Sequence, residues 1–438
     1  MSIAAVPHYL QDQDFSTASP ALRFGMYLKL WGTNRRSGER LWGKEDIDHA
    51  VRGQLQQERE LPLDNKATAL KAATRLTPND KHILRALEQR QQHLAQTLDP
   101  AQLLTLDALA TAPFTTGLGN EHPLENGFAF LNPYGLPYLP GSGTKGVLRN
   151  AARELASGEW GESAGWTQEK NPRLLQDKPA RTIALSPIDV LFGLETQDGA
   201  SDHVRGVLTF WDTVPHIGAD SLQVEIMTPH QGDYYQQKSS SDRKSSAAIS
   251  PHDSGQPTII QFLTVPAGSR FGFHVQCNLS RLERLAPELA DNGRWKQLLT
   301  AAFEHAFEWL GFGAKTAVGY GAMHKDHAAE KRRSEAQQQK AQAVRMASFS
   351  PAMQTIEAFV QELRAKHTQY PTFKEKANGT FHTQARALAK TALESTDWTA
   401  EEKHAAALSI EQWLPLLVQA SRWSCTVSST RCISVPAR

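Results

Sequence analysis

Between Pro137 and Gly146 the chain has little choice of backbone. Pro137 and Pro140 discourage helix before Gly141, and the Gly141-Ser142-Gly143 run lets the chain turn tightly. An amphipathic helix must follow, because Val147, Leu148, Ala151, Ala152 and Leu155 fall in one sector at 100° per residue. Ser142 or Thr144 is placed to cap it. Lys145, Arg149 and Arg153, spaced i, i+4 and i+8, form a stripe on another sector. A helix start with free N–H groups, a glycine turn and a row of cations suits a polyanion.

Other readings of this stretch are weaker. Gly141, Gly143 and Gly146 spell G-x-G-x-x-G, but a dinucleotide fold needs a buried parallel strand just before the turn. The preceding LPYLP has two prolines and no β-branched run. A phosphate-cradling loop of the G-x4-G-K type fails on spacing, since Pro140 stands where the glycine would follow Gly135. What remains is contact with a nucleic-acid backbone, set against a plain surface helix whose cations are solvated.

A second glycine-rich stretch strengthens the nucleic-acid reading. Gly311 to Gly321 reads GFGAKTAVGYG, with Lys315 among glycines 311, 313, 319 and 321. It follows a periodic helix carrying Phe303, Ala306, Phe307 and Leu310. This pairing resembles the RAMP superfamily of CRISPR-associated RNA-binding proteins. TGLGNEHPLENGFAF (116–130), PYGLPYLPGSGTKGVLR (133–149), LQVEIMTPHQGDYY (222–235) and GFGAKTAVGYG occur in family order. They narrow the resemblance to the sixth subunits of type III-B (Cmr) CRISPR effectors, over roughly residues 103 to 323. One local departure is Gly143-Thr144, where the family often has a second serine followed by an apolar residue.

The resemblance implies an α+β fold, with a ferredoxin-like, RNA-recognition-like RAMP core and helical additions at both ends. Its boundaries would be 1–102 for a mostly helical N-terminal region, 103–325 for the core and 326–438 for a helical extension. It implies a non-catalytic subunit that holds the 3′ part of a guide RNA and supports target-RNA capture in antiviral defence. The partners would be guide and target RNA and the other Cmr subunits, with no cofactor. The residues expected at RNA are Gly141, Ser142, Gly143, Lys145, Arg149 and Arg153 in the first stretch, and Gly313, Lys315 and Tyr320 in the second. His230 and Tyr234 join them, because an aromatic side chain beside a histidine and a cation can stack on exposed bases. The alternative is a stand-alone endonuclease of the same superfamily that processes repeat RNA. It would need a general acid or base, and His122, flanked by Glu121 and Glu125, is the candidate.

Composition sets bounds on these readings. With 47 basic and 46 acidic side chains the net charge is +1, which argues against a protein that coats nucleic acid by bulk charge. A local basic groove remains compatible. Scattered Cys277, Cys425 and Cys432 suit a reduced, cytoplasmic protein. No apolar run approaches a membrane span, and MSIAAVPHYL does not read as a signal peptide. No C-x-x-C, H-E-x-x-H or His cluster points to a metal.

Along the chain, ALRFGMYLKLW (21–31) is apolar enough to dock, and Ile83, Leu84, Leu87, Leu94 and Leu98 mark a packing helix. The first core strand is expected in LLTLDALATAPFTTG from Leu103. Asp189 to Phe192 and Val204 to Val214 follow, with Val207, Thr209 and Trp211 on one face of the second. Leu222, Val224 and Ile226 alternate with polar neighbours as in a half-buried strand, and Phe271, Phe273, Val275 and Cys277 do so most clearly. Ser-rich 236–256 reads as a flexible insertion, which in the resembled family can project as a thumb near the guide–target duplex. Past Met323 a charged Ala/Gln-rich segment leads to stripes at Met353–Leu363 and Leu408–Leu417.

Overall fold

A computed structural model describes residues 6–10, 13–29, 31–33, 40–42, 65–123, 126–175, 181–194, 203–230, 259–376 and 378–419. The chain divides into two compact units, Met1–Glu330 and Lys331–Arg438.

The first unit opens with helices α1 (Pro20–Gly25), α2 (Asn65–Thr74) and α3 (Pro78–Thr97). Thr77 and Asp80 close a reciprocal capping box at the start of α3, with Pro78 at the first helical position. Arg23 of α1 is buried and ties these helices together. It donates to the carbonyls of Ala18 at 2.8 Å, Ala72 at 2.7 Å and Arg75, with the Asp80 carboxylate 3.8 Å away. Burial lowers its affinity for the proton, and Asp80 opposes that. Strand β1 (Leu103–Ala110), helix α4 (Gly141–Ser157) and strand β2 (Leu208–Phe210) follow. A hairpin of β3 (Gln223–Met227) and β4 (Ile260–Thr264) precedes β5 (Arg270–Cys277). Helix α5 (Arg294–His305), extended by a π-helical turn over Ala306–Leu310, leads to β6 (Met323–Lys325).

Strands β2, β5, β1 and β6 form one sheet in that order, and every neighbouring pair is antiparallel. The order of elements is therefore βαββαβ, with the last strand beside the first. An antiparallel sheet leaves no room for the dinucleotide fold spelled by Gly141, Gly143 and Gly146. One face is apolar by alternation. Phe271 sits opposite Ala108, Phe273 opposite Leu106 and Val275 opposite Leu104. These side chains share a core with Leu148, Ala151, Ala152 and Leu155 of α4 and with Leu298, Leu299, Ala302 and Phe303 of α5. Fully burying each such Leu, Val or Phe contributes roughly 1.5–3 kcal/mol. Phe24, Leu28, Leu70 and Ala73 belong to the same cluster, so the N-terminal helices share the core rather than standing apart from it.

The β3–β4 hairpin behaves differently from its alternation. Leu222 is buried, but Ile226 is 56% exposed, while Glu225 and Met227 are half-buried. The hairpin is a separate two-stranded ribbon, so the face marked by Val224 and Ile226 is covered in part, with Val224 packed against the core and Ile226 open to solvent. In the Val204–Val214 stretch Val207 is buried while Thr209 is exposed and Trp211 half-buried. The Asp189–Phe192 stretch is a short helix, Pro187–Phe192, capped by Ser186 and Asp189.

Helix α6 (His327–Ala347) buries none of its residues. The second unit contains α7 (Pro351–Gln369), α8 (Thr380–Glu394) and α9 (Ala400–Leu417), packed around Ile356, Phe359, Leu363, Leu388, Leu414 and Leu417. The 236–256 insertion, Tyr234, Glu125 and the cysteines at 425 and 432 lie outside the described residues. Among the described residues, no helix is long and apolar enough to cross a membrane.

Candidate nucleic-acid interface

Helix α4 begins directly after Pro140, so Gly141 to Thr144 form its first turn and neither Ser142 nor Thr144 acts as a side-chain cap. Instead Asp212, 71 residues away, accepts the Gly141 N–H through Oδ1 at 2.8 Å. One of the donors expected to be open to an anion is thus met by the protein's own carboxylate. Gly141 is glycine for want of space, since a β-carbon there would stand 2.3 Å from the Phe210 carbonyl oxygen. Ser142 and Gly143 are exposed. Of the cation stripe, Lys145 is half-buried and Arg153 exposed, but Arg149 is only 8% exposed and donates to the Gly193 carbonyl at 2.6 Å. Position 149 adjoins Leu148 and Ala152 on the buried side of α4, which turns its guanidinium inward. The stripe therefore keeps its two ends and loses its middle member.

The loop from Gly311 to Gly321 is built on left-handed backbone. Gly311, Gly313, Lys315, Gly319 and Gly321 have φ of 68°, 93°, 60°, 93° and 71°. Two of these positions leave no space for a side chain. A β-carbon on Gly313 would lie 2.3 Å from the Thr115 oxygen, and one on Gly321 would lie 1.8 Å from the Phe312 oxygen. Backbone bonds hold the loop in place. Ala314 N–H donates to Thr115 at 2.8 Å, Gly321 N–H to Pro113 at 2.8 Å and Phe312 N–H to Gly321 at 2.9 Å.

Lys315 is the non-glycine residue in this conformation, which costs an L-residue on the order of 1–3 kcal/mol unless its surroundings impose it. Its ammonium lies 5.2 Å from the Phe262 ring centroid and 3.4 Å from the Met227 sulfur. Tyr320 closes the other side. Its ring meets Phe262 edge-on at 5.4 Å, and its hydroxyl donates to Glu225 at 3.4 Å. Burial and the Glu225 charge both raise the Tyr320 phenol above its ordinary range. His230 lies three residues past Met227, so β3 leads from Lys315 toward it.

The two glycine-rich segments stand at different levels of the sheet. Phe210, beside Gly141, pairs with Val275, whose other neighbour is Leu104 near the start of β1. The Gly311–Gly321 loop sits against Pro113 and Thr115, beyond the end of β1. The six residue steps from Leu104 to Ala110 separate them by about 20 Å along the strand.

His122 packs against helix α1. Its ring stacks on Phe24 at 3.8 Å and its Nε2 bonds the Phe24 carbonyl at 2.8 Å. Burial lowers its pKa, and the Phe24 bond opposes this. Sequence reading missed Asp212, Phe262 and Met227, which touch the two motifs from distant segments; no spacing rule links them to Gly141 or Lys315. Among the described residues, no group of three or more His, Cys, Asp or Glu side chains is placed to hold a metal.

Comparison with known proteins finds similarity over the part of the chain that carries both glycine-rich segments. The RAMP superfamily model matches residues 108–324, a stretch containing the end of β1, all of α4, both glycine-rich segments and β6 up to His324. The CRISPR system Cmr subunit Cmr6 of Pyrococcus furiosus is 28% identical over 239 residues, which is 47% of this chain and 63% of that protein's length. The crystal structure of Cmr6 from Pyrococcus furiosus aligns at 24% identity and a TM-score of 0.26, covering 52% of this chain and all of that one. A chain of the type III-B Cmr-beta complex bound to cognate target RNA aligns at 17% identity and a TM-score of 0.37, over 60% of this chain and 71% of that one. Residues 108–324 of the chain match the RAMP superfamily, and its sequence is similar to the Cmr6 subunit of the type III-B system.

Proposed function

We propose that this protein is a non-catalytic RNA-binding subunit of a type III-B CRISPR effector. It holds the 3′ part of the guide RNA in the cytoplasm, beside the other Cmr subunits, and supports target-RNA capture. The βαββαβ sheet with β6 beside β1 is the ferredoxin-like core of that subunit. The observation that carries the reading is Lys315, fixed in left-handed backbone by a glycine loop that backbone bonds lock to the end of β1. Such a rigid cation suits a phosphate, and it leaves bases free for pairing. Lys145, near the start of α4 and so about 20 Å away by the register argument, suits a second point on an extended strand rather than the same phosphate, and Arg153 lies about two turns further along α4. Ser142, Gly143 and Gly313 offer backbone beside these cations, and His230, Tyr234 and Tyr320 are the stacking candidates.

With few cations in play, each contact contributes modestly, and joining several subunits on one guide raises the effective concentration. Reconstitution of the effector with and without this chain tests the reading. Omission should expose the 3′ end of the guide to nuclease and reduce target capture; unchanged protection and capture would overturn it. The His122 ring, packed on Phe24, supports the non-catalytic reading over an endonuclease. Incubation of the purified chain with repeat RNA, with and without divalent metal, should give no cleavage. Cleavage abolished by His122→Ala would restore the endonuclease.

A further inference from the structure

Two tryptophans are exposed just past the C-terminal ends of α4 and α5. Trp160, three residues past the end of α4, is 47% exposed, and Trp309, in the π-helical turn after α5, is 58% exposed. Their ring centroids are 5.4 Å apart with planes at 58°. Beneath them His305 meets the Trp160 ring edge-on at 5.3 Å and bonds the Glu154 carboxylate at 2.7 Å. The pair is thus held by contacts from both helices and is not a loose loop tip. The π-helical turn is itself uncommon, and such turns concentrate at functional positions.

The charge around the pair has one dominant sign. Glu159 precedes Trp160, Glu308 precedes Trp309, and both are exposed, as is Glu162. Glu154 lies under the pair through His305. In the same segments the cation is Arg153; Lys325 nearby is engaged by Glu304 at 3.9 Å and Glu330 at 3.5 Å. An aromatic surface rimmed by carboxylates repels a phosphate backbone and attracts a cation that can lie flat on a ring. A guanidinium does this better than an ammonium, being planar and more weakly hydrated.

We propose that the Trp160–Trp309 surface is a protein-docking site for an arginine-containing segment of a partner protein, distinct from the RNA-facing cations Lys145 and Lys315. An arginine stacks on the indoles while Glu159 and Glu308 face its neighbouring cations. The proposal does not depend on the RNA reading.

The test follows the ten tryptophan indole N–H signals of the full-length chain by 15N NMR. The probe is a synthetic peptide, acetyl-Gly-Arg-Gly-Arg-Gly-Arg-Gly-amide, with its citrulline analogue and an oligouridylate as controls. The signals of Trp160 and Trp309 are identified by their loss in Trp160→Phe and Trp309→Phe. The arginine peptide should shift these two and leave buried indoles such as Trp295 in place. Trp309→Ala should weaken binding about two- to fivefold, as loss of an exposed cation–π contact does. Glu159→Gln with Glu308→Gln should weaken it further and flatten its salt dependence. Three results would overturn the proposal: no shift of the two indoles, equal binding of the citrulline peptide, or a preference of these indoles for oligouridylate. Both tryptophans are exposed, so unchanged melting of the variants checks that folding is intact.

Discussion

A β-carbon at position 321 would stand 1.8 Å from the Phe312 carbonyl oxygen, whereas one at position 319 meets nothing within 4 Å. Both glycines are left-handed, at φ of 71° and 93°. Gly319→Ala therefore carries only the conformational penalty, about 1 kcal/mol. Gly321→Ala must also displace backbone, and it should cost more than about 2 kcal/mol. Thermal melting of the two variants checks the order, and equal losses would mean that the loop is looser than its hydrogen bonds indicate. His122 gives a second prediction. Its folded pKa is below its ordinary value, so the unfolded chain binds the proton more readily. The neutral ring's stability contribution is present above the unfolded pKa, near 6.5, and is lost as pH falls through the folded value. The melting temperature should therefore drop between pH 7.5 and pH 5, and His122→Gln should narrow that drop.

At the scale of elements, burial separates two cations that the sequence treats alike, Lys315 and Arg149. Lys315→Ala in the glycine loop should weaken RNA binding about equally across sequences and reduce its salt slope by about one. Arg149→Ala should act through stability, because it leaves the Gly193 carbonyl without its buried donor, a loss of about 1–3 kcal/mol. Its RNA salt slope should match the wild type, and filter binding at several salt concentrations distinguishes the two effects. Spacing of i, i+4, i+8 reports that three cations share a sector of a helix. It cannot report where the boundary of the buried sector falls, and Arg149 lies inside that boundary. The β3–β4 hairpin makes the same point, since alternation marks a face whether or not a layer covers it.

In the whole molecule, the second unit has its own apolar cluster, from Ile356 to Val418. A chain ending at Ala347 should keep the melting transition of the first unit and its RNA binding, and lose the helical signal of α7, α8 and α9. Loss of RNA binding in that truncation would place phosphate contacts in the second unit. Several features were legible from sequence alone. The Phe271–Cys277 strand, the turn and helix at 141–157 and the glycine loop at 311–321 follow from local rules about alternation, helical period and left-handed backbone. Tertiary structure alone decided that Asp212 meets the helix start, that Arg149 faces inward, that Phe262 and Met227 underlie Lys315, and that about 20 Å of β1 separates the two glycine-rich segments. The reason is physical. Periodicity and turn chemistry act over a few residues, whereas burial and partnership depend on which distant strand the fold brings alongside.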